Sequence, residues 1–395
     1  MVIVGLDCVT GLQTARIFAR RSIRVIGLAA NPRHPCCRTR CVTRLIDADA
    51  AGEGLIHALA RLGAELGSRA VLVPCTDLSV LEISRHRAAL VAWYHLALPD
   101  EDVVEMLVDK ARFAAFARER GLPIPPTVVL RTRADAEAAA GALRYPAVLK
   151  PAVKTSAWSR EAGAKAFQVN GPGELVRLFE RCSAWADSLI VQEWIPGGDG
   201  EQFTCNCYFG DAGEPLVTFT TRKIRQWPPF GGEACLSEES RNEVVERETV
   251  RLFRTAGHHG LGYLEMKRDP RTGEYLIVEP NIGRPTGRSA SAEASGVELL
   301  MTMYCELLAR PLPAAREQRY LGTRWIHLRR DLQSAAFRWW RGELTVRDWV
   351  RSLRGPLVEP LFSWRDPVPF WADLARVMGD ALRRRRHAGR ADRVP

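Results

Sequence analysis

The chain has 395 residues, enough for two or three domains with cores of their own, and its 46% hydrophobic and 26% charged content excludes a low-complexity or fibrous protein. No window approaches the roughly 20 apolar residues of a membrane-crossing helix, and Met1–Val4 begins directly as a strand, without the basic-then-apolar pattern of a secretory signal. The net charge of +10 is uneven: residues 321–395 hold sixteen arginines against eight acidic residues, so the body is near neutral, unlike a chain that threads nucleic acid through its centre.

The ten cysteines are scattered and form no CxxC pair, a pattern of free thiols in a reducing cytoplasm. The cluster His34, Cys36, Cys37 and Cys41 has a spacing that fits no usual zinc site.

In chain order, Met1–Leu6 reads as a strand, a turn over Gly5–Gly11 leads to a helix near Gln13–Arg20, and Ser22–Leu28 is a second strand. That is a β-α-β opening of the Rossmann-like kind. The turn GLDCVTG is not GxGxxG, so a dinucleotide site is poorly supported. Helix Ala51–Leu66 and strand Ala70–Pro74 continue the alternation, and Asp77 follows at a strand's carboxyl end, where open α/β sheets bind ligands.

Asp109 is placed to cap a helix over Lys110–Arg120, with Gly121 ending it. A lysine in a first helical turn opposes the macrodipole unless it meets an anion. Pro123, Pro125 and Pro126 form a stiff connector into strand Thr127–Leu130, followed by helix Ala136–Leu143 and strand Tyr145–Lys150. The loop Ala152–Ala164 is polar and contains Lys154, Arg160 and Gly163; strand Lys165–Val169 and helix Gly173–Cys182 come next. Ser188–Trp194 is an apolar strand with a polar end, before the glycine-rich IPGGDGE of residues 195–201, which reads as either a plain turn or an adenine hinge. Strands Gln202–Phe209 and Pro215–Lys223 follow; Arg222, Lys223 and Arg225 put three cations at the end of the second, before a stiff loop over Trp227–Gly232. A helix over Glu238–His258 is expected, then a hairpin, then a helix over Ala290–Leu308. The sequence has no internal repeat, Walker lysine, serine elbow or HExxH.

The hairpin is the most informative stretch. Leu261–Lys267 runs in, Asp269–Gly273 turns, and Tyr275–Glu279 runs back. Reflection about Thr272 sets Glu265 opposite Glu279, and opposed side chains on one face lie roughly 4.5–5.5 Å apart at Cβ. Two carboxylates that close repel unless a divalent cation with a taste for oxygen, Mg²⁺ or Mn²⁺, lies between them. Asn281, two residues on, shares that face, and Arg284 and Arg288 follow where an anionic substrate would sit. The alternatives are an exposed ribbon with solvated glutamates, or a bulge that separates the pair.

The motifs DK at 109–110, YPAVLKP at 145–151, VQEWIPGGDGE at 191–201, TTRKIRQ at 220–226, YLEMKRDP at 263–270 and VEPNIGRP at 278–285, in this order, resemble the ATP-grasp superfamily. Within it they are similar to the carboxylate–amine ligase group that includes D-aspartate ligase-like proteins. The resemblance covers roughly residues 1–310 and implies an α/β (α+β) ATP-grasp fold: a Rossmann-like pre-domain over 1–105, a central lobe over 106–187, and a metal-binding lobe over 188–310, with ATP sandwiched between the two lobes. Residues 311–395 are left as a Trp/Arg-rich extension.

What the resemblance implies for residues is specific. Lys110 and Lys150 match lysines on the ATP phosphates; Gln192, Glu193, Trp194 and Ile195 match the hinge that reads adenine; Glu201, or Asp199, matches the acid on the ribose. Glu265, Glu279 and Asn281 match the ligands of Mg²⁺. Lys223 and Arg284 match cations that orient the acceptor and the transferred phosphoryl, with Arg222, Arg225 and Arg288 as further candidates. The loop after Lys150 is poorer in glycine than the family's phosphate-covering loop. The motif ExNxxR stands where many relatives have ExNxR, which leaves both Arg284 and Arg288 in play.

The expected activity is ATP-dependent ligation of a small-molecule carboxylate to an amine through an acyl phosphate, chemistry that needs positioning and charge stabilisation and no side-chain nucleophile. Carboxyl activation with another acceptor, or a catalytically silent nucleotide-binding scaffold, are the alternatives. The extension carries six of the eleven tryptophans, and Phe370–Leu382 reads as an amphipathic helix ending in Arg383–Arg386. It is expected to be a packed helical appendage or a peripheral membrane contact through 325–390. The expected location is the cytoplasm or the inner face of its membrane; the sequence leaves the oligomeric state open, a dimer being one option.

Overall fold

The computed structural model describes residues 1–391 except Lys154 and Phe230. Three sheets carry the fold. The first is parallel, β1 (Val2–Val4), β2 (Ile26–Ala29), β3 (Arg44–Asp47), β4 (Ala70–Pro74) and β5 (Tyr94–Leu96), in the order β3-β2-β1-β4-β5. The second is antiparallel, β6 (Thr127–Leu130), β7 (Ala147–Pro151), β8 (Phe167–Val169) and β9 (Leu189–Glu193), in the order β6-β9-β7-β8. The third holds β10 (Gln202–Phe209), β11 (Pro215–Trp227), β12 (Glu233–Glu239), β13 (Gly260–Arg268), β14 (Tyr275–Ile282), β15 (Arg324–Ile326) and β16 (Leu357–Val358), in the order β14-β13-β10-β11-β12-β15-β16.

Side-chain alternation explains how the third sheet is used. Along β10, Phe203, Cys205, Cys207 and Phe209 turn into a core that also takes Val245, Leu252 and Phe253 of the helix Glu243–Thr255. Gln202, Thr204 and Asn206 therefore face the other way. That core is continuous with the first sheet through Val2, Leu28, Leu72 and Leu98. The second sheet instead has a core of its own, Leu130, Leu149, Val169, Leu175, Phe179 and Val191 among it.

Several expectations are corrected. The helix expected over Glu238–His258 begins only after Asn242, whose side chain accepts from the Val245 N–H; the residues before it form β12. The helix expected over Ala290–Leu308 is two, Ser289–Ala294 and Leu299–Leu307, broken at Gly296 with φ +76°. The polar loop after Lys150 contains a short helix, Ser156–Glu161, pinned by buried Trp158, whose Nε1 donates to the Ala164 carbonyl at 2.9 Å and whose ring meets Phe167 and Trp185 edge-on. Lys154 lies outside the described residues.

The extension is built into the molecule. β15 lengthens the third sheet by pairing with β12, and the helix Leu328–Trp340 lies on β11 and β12. Asp331 of that helix is buried and accepts from Arg225 Nε at 2.8 Å, Arg225 Nη2 at 3.0 Å and Trp349 Nε1 at 2.9 Å. At the far end Asp366 accepts from Arg16 Nε at 2.9 Å and Thr39 Oγ1 at 2.6 Å, which ties the extension to the helix Val9–Ala19 beside the first sheet. Two buried charge pairs thus strap the extension to the third sheet and to the helix Val9–Ala19 beside the first. Removing one partner of such a pair leaves a buried charge uncompensated. Asp331→Ala is expected to lower unfolding stability by about 3–5 kcal/mol, read as a fall in the urea midpoint, whereas Asp331→Leu combined with Arg225→Met is expected to recover most of that loss.

Candidate active site

The hairpin places its glutamates as the reflection expects. β13 pairs with β14 so that Glu265 lies directly opposite Glu279 and Tyr263 opposite Asn281. The turn is closed by the Gly273 N–H on the Asp269 carbonyl at 2.8 Å, with Gly273 at φ +77°. A bulge is present: beyond the Glu265–Glu279 pair the register steps to Met266–Ile277, leaving Val278 as the extra residue. It lies on the turn side of the glutamates and does not part them.

Glu265 also has Thr204 as its neighbour on β10. Its Oε2 accepts from Gln202 Nε2 at 2.8 Å, and Arg288 Nη2 stands 3.6 Å from Oε1. Asn281 Oδ1 accepts from Arg284 Nη2 at 2.8 Å, while its buried Nδ2 has no partner among the described residues. Two facing carboxylates suit a hard divalent cation, and the second lone pair of Asn281 Oδ1 can add a third oxygen, whereas its Nδ2 is a donor and cannot ligate. Among the described residues no group of three or more His, Cys, Asp or Glu side chains could hold a metal, the His34 to Cys41 run included.

Opposite the hairpin stand the two lysines. Asp109 caps the helix Lys110–Glu119 through its Oδ1, which accepts from the Ala111 and Arg112 N–H groups at 2.7 and 3.1 Å. The Lys110 N–H in turn donates to the Ala152 carbonyl at 3.0 Å, just past the end of β7, and so fixes the helix start beside Lys150. Lys110, Thr127, Lys150, Gln192 and Glu279 line one cavity. Lys150 Nζ donates to Gln192 Oε1 at 3.3 Å, and Gln192 Nε2 to Thr127 Oγ1 at 2.9 Å. Burial pushes the Lys150 ammonium down to about 8, with the charge of Lys110 adding to the shift and Glu279 and Glu265 opposing it. A buried, weakly held cation beside a second lysine is suited to an anion.

The hinge follows β9. Glu193 turns its carboxylate outward to Arg144, its Oε1 accepting from the backbone N–H at 3.0 Å and its Oε2 from Nε at 3.1 Å, and the Trp194 N–H donates to the Pro146 carbonyl at 3.0 Å. Lys267 Nζ donates to the Ile195 carbonyl at 2.8 Å and lies 5.2 Å over the Trp194 ring. Sequence reasoning missed Lys267, although it lies two residues from Glu265 on the same strand face and alternation alone could have found it. Asp199 Oδ2 accepts from the Gln226 N–H at 3.0 Å and from Arg338 Nη2 at 2.5 Å, so its carboxylate is already held by the extension. Glu201 has a looser partner, Arg268 Nε at 3.8 Å. Arg338, 139 residues from Asp199, left no signal in the sequence.

The three cations of β11 are not gathered into one place. Lys223 is on the site face: its Nζ donates to Gln202 Oε1 at 2.6 Å and to Gln226 Oε1 at 3.1 Å. Arg222, one residue earlier, points to the opposite face and pairs with Glu238 at 2.6 Å. Arg225 is displaced by irregular pairing of β11 with β12 on both sides of it and is buried against Asp331. Both are therefore removed from the catalytic candidates, because alternation and the bulge turn them to structural partners. A hydrogen-bonded series remains, running from Arg338 through Asp199, Gln226, Lys223 and Gln202 to Glu265.

Arg284 and Arg288 separate. Arg284 is half-buried near the first sheet, with Nε donating to Asp77 Oδ1 at 2.5 Å and its guanidinium 5.2 Å over the Tyr263 ring; burial disfavours its charged form, but Tyr263, Asp77 and Glu279 outweigh that and raise its affinity for the proton. Arg288 stands over β10, 3.4 Å from Thr204 Oγ1, and its buried Nε has no partner among the described residues.

No family model matches the chain. It is similar to the D-aspartate ligase of Enterococcus faecium, 27% identical over 240 residues, or 56% of this chain and 54% of that protein. It is also similar to the D-alanine–D-alanine ligase of Stutzerimonas stutzeri, 24% identical over 183 residues, covering 45% and 55%. The chain spans about half the length of the curated relatives it matches. Among solved structures, the biotin carboxylase domain of Hydrogenobacter thermophilus 2-oxoglutarate carboxylase, in complex with MgADP, ADP and bicarbonate, superposes with a TM-score of 0.64 at 16% identity over 81% of this chain and 72% of that one. The ADP complex of N5-carboxyaminoimidazole ribonucleotide synthetase gives 0.60 at 14% identity over 80% and 77%. In sequence the chain is thus similar to D-aspartate ligase and D-alanine–D-alanine ligase over about half their length, and in fold to biotin carboxylase and N5-carboxyaminoimidazole ribonucleotide synthetase.

Proposed function

We propose that the protein is an ATP-dependent ligase that joins a small-molecule carboxylate to an amine through an acyl phosphate. The observation that carries this reading is the direct opposition of Glu265 and Glu279 across a cavity wall from Lys150. Lys110 and Lys150 hold the phosphates of ATP. The backbone of Gln192 to Ile195 addresses the base, since the Glu193 side chain is committed to Arg144. Glu201 takes the ribose, because Asp199 is held by Arg338.

Glu265, Glu279 and Asn281 would hold Mg²⁺, or Mn²⁺ in its place. The metal, when bound, supplies neutralisation of the β- and γ-phosphate charge as the phosphoryl leaves. Lys223 and Arg288 face the same region and stabilise negative charge on the transferred group. Arg284 fixes Asn281 and, through Asp77, orients it against the carboxyl end of the first sheet, where the acceptor substrates would enter. The helix pinned by Trp158 shields the phosphates from water, which would otherwise hydrolyse an acyl phosphate.

The lobe boundaries go with this reading, at about residues 105, 187 and 310: the separate core of the second sheet suits a lobe that moves over a nucleotide. Among the described residues no helix is long and apolar enough to cross a membrane. A cytoplasmic location belongs to the same proposal, and the state of assembly is left open by it. A silent scaffold is disfavoured, since a retired site has no reason to keep both glutamates, Asn281 and both lysines.

ADP release with Mg²⁺, measured across pooled carboxylates and amines that include aspartate and alanine, tests the reading. Turnover is expected in a pool containing both substrates, and Glu279→Gln is expected to lower it on the order of 10²–10³-fold. ATP binding without ADP release in any pool would count against a ligase.

Lys150 gives a second test through pH. Its ammonium is depressed to about 8 in the free protein, and phosphates close by raise it again. Nucleotide binding then takes up a proton above that pH, so affinity is level below pH 8 and falls about tenfold per unit as pH rises further. Fluorescent-nucleotide titrations at several pH values should show this slope in the parent and a flat line in Lys150→Met. A flat line in the parent would remove Lys150 from the phosphate site.

A further inference from the structure

The last helix, Val368–Ala391, presents two different sides. One is anchored: Phe370 packs on the cluster of Leu12, Cys36 and Leu361, and buried Asp373 accepts from Arg329 Nε at 3.2 Å and Arg376 Nη2 at 2.7 Å. The other carries a stripe with the spacing i, i+3, i+7: Trp371 is 58% exposed, Leu374 38% and Met378 59%. Trp364, just before the helix, is 88% exposed, with its ring edge-on to Phe362 at 4.9 Å. Single exposed apolar residues need no explanation, but a helical stripe of them with a tryptophan beside it marks a surface that is meant to be covered.

Charge says what covers it. The stripe runs directly into Arg383-Arg384-Arg385-Arg386, with Arg390 after; Arg383 pairs with Asp380 at 2.6 Å, and residues 381–391 contain no acidic residue. A second copy of this chain is a poor occupant, because a two-fold interface sets the same basic patch against itself and gives it no opposite charge to meet. An anionic lipid surface suits both parts: tryptophan and methionine enter the headgroup boundary, and the positive charge of the run matches the surface potential of the lipid. We infer that Val368–Ala391 is an interfacial helix that docks the chain, in the plane of the membrane and without crossing it, on a bilayer rich in anionic headgroups. This inference does not depend on the ligase reading.

Co-sedimentation of the full chain with phosphatidylcholine vesicles, with and without phosphatidylglycerol, tests it. Binding is expected only with the anionic lipid, and at least tenfold weaker at about 0.5 M salt than at low salt. The variant Trp371→Ser, Leu374→Ser, Met378→Ser, all exposed positions, is expected to melt like the parent and to bind about tenfold or more weakly. Arg383→Gln with Arg384→Gln, Arg385→Gln and Arg386→Gln should remove the salt dependence. No binding at low salt, or unchanged binding by the stripe variant, overturns the inference. Self-association in light scattering that the stripe variant abolishes would overturn it too, in favour of a second copy.

Discussion

Two carboxylates held face to face on a sheet repel each other, and much of this molecule is arranged around that constraint. Strand pairing fixes Glu265 against Glu279, so neither can move apart without breaking the β13–β14 ladder. The field of the pair reaches Lys150 across the cavity and opposes the burial that would otherwise discharge it. Arg288 stands at 3.6 Å from Glu265, a distance that moderates the repulsion without closing the site. The order of elements then follows. Two sheets meet at this pair, the third bringing the glutamates and the second the lysine, joined by the glycine-bearing segment between β9 and β10.

The extension has the opposite character, since its charges are matched and dry. Arg225–Asp331 and Arg16–Asp366 strap one segment to both the third sheet and the helix packed by the first. A buried pair of this kind adds little net stability over an apolar pair, but it fixes register. Here the register matters, because Arg225 sits within the irregular stretch of β11 that runs from Lys223 to Gln226. Arg338 adds a direct link to the hinge through Asp199. The segment outside the motif-bearing region therefore shapes the site as well as covering it.

Much of this was legible in the sequence, for local reasons. The hairpin register follows from one turn and period-two alternation. The caps at Asp109 and the lysine closing β7 follow from short-range chemistry. What was not legible depends on distant partners. Arg225 looked like a third active-site cation until Asp331, 106 residues later, was seen to neutralise it. The acid-rich run before Asn242 read as a helix start, because nothing local reveals that β15 waits to pair with β12. Trp158 made the glycine-poor loop intelligible only once Phe167 and Trp185 were in place around it.

The central claim is that the opposed glutamates take a divalent cation together with nucleotide, and electron paramagnetic resonance of Mn²⁺ tests it without knowledge of the acceptor substrates. A titration of Mn²⁺ into the full chain with ADP should remove at least one ion per chain from the free-ion signal beyond what ADP removes by itself. Glu265→Gln with Glu279→Gln should abolish that excess while the fold is retained. Equal uptake by the parent and the double variant would contradict the account.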